Sequence, residues 1–149
     1  MSKVTEINKI LRSYLEPFGY EIRHGSDFCC NLDKEVVYWS LYTPANADKY
    51  FLEYAHSLGL KYECGVFILS LFHEIGHLET YDDLDEIDIA YSEDEKELLS
   101  RKETHNKADN MHYFGLPEEK VATKWAIEFI NPNPDFCREI NDKVAAVVY

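Results

Sequence analysis

Apolar residues recur three and four apart at Val4, Ile7, Leu11, Tyr14 and Leu15, which predicts an amphipathic helix that Pro17 and Gly19 bring to an end. From Tyr20 to Tyr42 the pattern shortens to YEIRHG, DFCCNLD and KEVVYWSLY, runs rich in β-branched and aromatic residues and separated by Gly-Ser and Asp-Lys turn signals. These predict a small three-stranded antiparallel sheet, with Val36 to Ser40 as its clearest strand. Thr43-Pro44 reads as an N-cap followed by a proline in the first turn, opening a helix that runs to Leu58 and closes at Gly59. A further helix is predicted from Glu63 to Tyr81. Its stretch CGVFILSLFHEIGHL is apolar on nearly every side, the mark of a buried central helix.

Beyond it the polarity changes. Residues 82–97, DDLDEIDIAYSEDEKE, read as a solvated acidic loop leading into a helix that continues to about Asn106, with acidic groups complementing the positive helix start. The stretch lacks the glycine and the spacing of an EF-hand loop. NKADNMHYFG reads as loop. Pro117 opens PEEKVATKWAIEFI, which NPNP ends, and the last helix runs from Pro134 to about Val148 with Phe136, Ile140, Val144 and Val147 on one face.

The elements make an α+β chain of 149 residues, the size of one domain spanning 1–149 with a single core. A net charge of −13 disfavours direct binding to nucleic acid or anionic lipid and favours a basic partner. The first residues lack the apolar core of a signal peptide, and GVFILSLF is too short to span a bilayer, so a cytoplasmic protein is expected. Cys29, Cys30, Cys64 and Cys137 lack CxxC spacing and read as reduced thiols.

The candidate chemistry lies in FHEIGHL. On a helix His73 and His77 stand one turn apart on one face, so their imidazoles can meet at a single zinc ion. Glu74 is rotated to the flank of that face, where it can act as general base on a water without binding the metal. Burying two histidines and a carboxylate in an apolar helix costs several kcal/mol unless they are paired or metal-bound. A catalytic zinc needs a third protein ligand, and Glu103, His105, Asp109, His112, Glu118 and Glu119 are the downstream candidates. The metzincin continuation is excluded, because LETYDDLDEI follows His77. Glu119 is the best placed: Ala122 and Ala126 share its face and would let that helix approach Gly76 closely. His112 and Tyr113, just before this helix, are candidate catalytic donors to an oxyanion, with His105 behind them.

HEIGH at 73–77 together with EKVATKWA at 119–126 resembles the ImmA/IrrE family of small zinc metallopeptidases. The resemblance implies a minimal zincin-like fold of the gluzincin kind, His73, His77 and Glu119 as ligands, Glu74 as base, and a regulatory or repressor protein as substrate. Glu118 and Glu103 are the alternatives to Glu119 as third ligand. Thr123 stands where that family has Asn or Asp, and the gap between His77 and Glu119 is longer than is common in it. The function expected is zinc-dependent hydrolysis of a peptide bond in a specific protein, with an extended substrate pairing along the strand at Val36 to Ser40. The competing expectations are a non-catalytic regulatory protein stapled by zinc, and a zinc hydrolase acting on something other than peptides.

Overall fold

The computed structural model describes residues 2–41 and 45–149, so the Thr43-Pro44 helix start lies outside the described residues. Helix α1 (Lys3–Leu15) opens on Ser2, whose Oγ accepts the Thr5 N–H, and buries Ile7, Leu11 and Leu15 at intervals of four. Strands β1 (Glu21–His24), β2 (Cys29–Asn31) and β3 (Val36–Trp39) follow. Then come α2 (Ala45–Ser57), α3 (Gly65–Thr80), α4 (Glu86–Ser100), α5 (Lys107–Phe114), α6 (Pro117–Ile130) and α7 (Pro134–Val148). The fold is α+β as expected, and no described helix is long and apolar enough to cross a membrane.

The sheet is mixed rather than antiparallel throughout. Its order is β1-β3-β2, with β1 parallel to β3 and β2 antiparallel to β3. Hydrophobicity accounts for this order: Val36, Val37 and Trp39 are all essentially inaccessible, so β3 takes the centre, where both of its edges are paired. Trp39 brings its polar atom with it and satisfies it by donating Nε1–H to Asn8 Oδ1 at 2.7 Å. A central β3 has no edge for an added strand, which corrects the expected substrate edge at Val36 to Ser40. The outer strand beside α3 is β2.

The segment expected to be loop before Pro117 contains α5. Only Phe114 of this helix is buried, so it has no apolar period to read. It is started by a capping box, in which Asp109 N–H donates to Asn106 Oδ1 and Asn106 N–H to Asp109 Oδ2. It is anchored by Phe114, stacked on Phe51 of α2 with ring centres 5.0 Å apart. The preceding helix, α4, ends at Ser100 rather than near Asn106.

At the centre α3 lies against α6. Side chains from Ile68 to His77 on α3 are all buried, as are Ala122 and Ala126 on α6. A Cβ at Gly76 would stand 2.5 Å from the Ala122 carbonyl oxygen, so glycine is what lets the two backbones touch. Alanine is the better helix former by about 1 kcal/mol. Gly76→Ala is nevertheless expected to lower unfolding free energy by about 1–3 kcal/mol, since backbone cannot yield as a side chain can. Urea denaturation measures this, and a stabilised variant would show that the helices have room to part.

Candidate metal centre

Close approach of α3 and α6 puts His73, His77 and Glu119 in one buried group, each less than a tenth exposed. Glu119 Oε1 lies 3.0 Å from His73 Nε2 and 3.2 Å from His77 Nε2. A tetrahedral ion with bonds of about 2.0–2.1 Å holds neighbouring ligand atoms about 3.3 Å apart, so this spacing fits a metal. Glu103 is exposed in the α4–α5 connection, and Glu118 turns toward Lys96. Neither belongs to the group.

Hydrogen-bond bookkeeping supports a cation at this point. Thr123 is completely buried and donates its hydroxyl to the Glu119 carbonyl oxygen, one turn back, at 3.0 Å. Its remaining capacity is as acceptor, and His73 Nδ1 lies 3.0 Å away, so the ring proton of a neutral His73 belongs on Nδ1. Nε2 is then a lone pair aimed at a carboxylate oxygen. Two acceptors at that distance repel unless a proton or a metal ion lies between them. The group His73, His77 and Glu119 can bind a metal ion.

Charge in the site is strongly coupled. Burial pushes the Glu119 carboxyl up, but hydrogen bonds and charge from His73 and His77 outweigh it and hold the group well below the usual carboxylate range. Burial depresses His77, yet Glu119 raises it overall. Glu74, which is not part of the ligand group, is raised by burial despite the opposing pull of both histidines. Its carboxyl faces two adjoining recesses. One, of about 280 Å³, is lined by Phe28, Phe51, Ser70, His73, Glu74 and Tyr113 among others. The other, of about 230 Å³, takes in Cys29, Cys30, Leu32, Glu74 and His77.

Tyr113 lines both recesses, and its hydroxyl is pushed up by burial and by the nearby charges of Glu119 and Glu74, so it stays a donor. His112 does not join it. That ring is turned outward, 3.6 Å from Glu95 and substantially exposed, and it lines neither recess. His105 is bonded through Nε2 to the Leu99 carbonyl oxygen at 2.8 Å, further along the cleft. Sequence reasoning missed Lys96, whose Nζ reaches Glu119 Oε2 at 2.8 Å and Glu118 Oε2 at 3.4 Å. Burial works against its charge, but Glu119 and Glu118 keep it protonated. The available signal was a single lysine among nine carboxylates in residues 82–97.

Compared with family models, with curated proteins and with solved structures, the chain matches none of them.

Two outcomes are expected. Thr123→Val, which keeps the shape but removes the acceptor for Nδ1, should weaken metal binding by about 10–100-fold in chelator competition; wild-type affinity would reject the tautomer argument. In metal-free protein the raised Glu74 carboxyl makes the unfolded chain ionise first, so stability falls as pH rises above the ordinary value of 4.5. Glu74→Gln should therefore unfold at higher urea than wild type at pH 8 with chelator present, and the advantage should shrink toward pH 4.5. Equal midpoints at pH 8 would show that the carboxylate bears no burial cost.

Proposed function

We propose that the protein is a zinc-dependent metallopeptidase in which His73, His77 and Glu119 hold the ion and Glu74 is the general base. Zinc is favoured by the donor set, two imidazoles and one carboxylate, which is that of many catalytic zinc sites. Among the described residues the group contains three ligand side chains and no fourth, leaving room for water or substrate. When bound, the ion supplies Lewis-acid polarisation of the scissile carbonyl and acidifies water.

The observation that carries the reading is Glu74. It is a buried carboxyl one residue from a ligand, outside the ligand group, and open to both recesses. A zinc staple has no use for it. In the reaction Glu74 takes a proton from the attacking water and hands it to the leaving amine. Tyr113, protonated and facing the same space, donates to the developing oxyanion. Thr123 holds the His73 ring in the tautomer that leaves Nε2 free.

An extended peptide would lie along the outer edge of β2, whose Cys29 and Cys30 flank the cleft. The chain's net charge of −13 favours a basic protein segment. Together with the resemblance to the ImmA/IrrE family, this favours a regulatory or repressor protein in the cytoplasm as substrate.

Purified protein should carry about one zinc, lost in His73→Ala. Glu74→Gln should keep the metal and cleave a mixture of unstructured peptides about 10²–10⁴-fold more slowly, read by mass spectrometry. Absence of zinc from the wild type, or full cleavage by Glu74→Gln, would reject the proposal.

A further inference from the structure

Helix α4 is held in an unusual way. Ile87, Tyr91 and Leu98 are exposed, and its one fully buried side chain is a hydroxyl, Ser92. Ser92 Oγ accepts the Glu118 N–H at 3.3 Å, satisfying a free amide in the first turn of α6, whose own N-cap residue, Leu116, offers no side-chain bond. One turn later on the same face Lys96 reaches Glu119 and Glu118. Both contacts of this face therefore fall on the helix start that carries the third ligand.

We propose that α4 is a clamp on the metal centre, with Lys96 as a positioning residue that holds the outer oxygen of Glu119 and leaves the inner one for the ion. The inference rests on the metal centre and is independent of the peptidase reading. His73 and Lys96 take different oxygens, and His77 Nε2 lies between them, 3.2 Å from Oε1 and 3.1 Å from Oε2. Oε1 is the oxygen His73 Nε2 meets, at 3.0 Å, whereas the shortest contact of Oε2 is Lys96 Nζ, at 2.8 Å. A carboxylate with one oxygen held by an ammonium binds metal through the other. Without the ammonium both oxygens are free to bind, or the carboxylate swings away. The ring of Tyr113, 5.5 Å from Lys96 Nζ, closes the other side of the ammonium. The clamp also gives the long acidic insertion between the two halves of the site a structural role: it spans the gap and delivers one cation.

The test uses cobalt(II) in place of zinc, because its visible bands weaken as coordination rises from four to five. Lys96→Met should show weaker bands than wild type and bind zinc about 10–100-fold less tightly in chelator competition, with Lys96→Arg restoring both toward wild type. An unchanged cobalt spectrum in Lys96→Met overturns the clamp whatever the affinity. A second measurement needs no variant: adding zinc to wild-type protein should slow amide hydrogen exchange across residues 86–100 as well as in α3 and α6. Zinc-independent exchange in that segment also overturns it, and a wild type that binds no cobalt removes the metal centre and the clamp together.

Discussion

Gly76 lets the α6 backbone occupy the space where any other residue would put a Cβ, and the position of each polar group in the site follows from that contact. Ala122 is the residue touched, so the positions of the residues around it on α6 are set by it. Glu119 is three residues before it and Thr123 one after. On the other side, His73 and His77 flank Gly76 at three before and one after. The two helices meet at their smallest residues, and the functional residues flank the contact at matching offsets. Small residues thus set the distance between helices, and the distance sets which atoms can share an ion.

Within that frame the group is held by directional bonds rather than by packing alone. Thr123 relays from the Glu119 backbone to His73 Nδ1, tying the ligand on one helix to the main chain of the other. Every side-chain polar atom that is fully buried among the described residues has a partner. Geometry alone does not make those partners favourable, because an imidazole lone pair and a carboxylate oxygen are both acceptors. The arrangement is satisfied electrostatically by a proton or a metal ion between them, so the pocket is built to hold positive charge.

The main helices and the His-Glu-His half-site were legible because each has a local signature: apolar period, proline at a helix start, and one-turn spacing of ligands. Glu119 was legible only through the alanines beside it, which announced a close helix contact. The strand order was hidden, since local pattern shows that a strand exists but not which neighbour it pairs with, and β3 went to the centre through burial of Val37 and Trp39. Helix α5 was hidden because its stability comes from a cap and one aromatic anchor, neither of which leaves a period. Lys96 was hidden for a different reason. Amid nine carboxylates a lysine looks like surface charge balance, and only the tertiary docking of α4 shows which carboxylate it meets.

Charge joins these features. Asp27, Asp48, Glu74, Glu118 and Glu119 are five acidic groups lining the two recesses of one cleft, and Lys96 is the one permanent cation among the lining residues. Without a metal, burial raises the Glu74 carboxyl and Glu119 raises the His77 ring, so both groups shift toward holding a proton. Both shifts run against the proposed chemistry, in which Glu74 has to be ionised and His77 has to offer a lone pair. A dication between His73, His77 and Glu119 would make protonation of His77 unfavourable and favour the charged form of Glu74. In the proposed reaction, the burial that raises the Glu74 carboxyl is thus what would tie its use as a base to the presence of the metal.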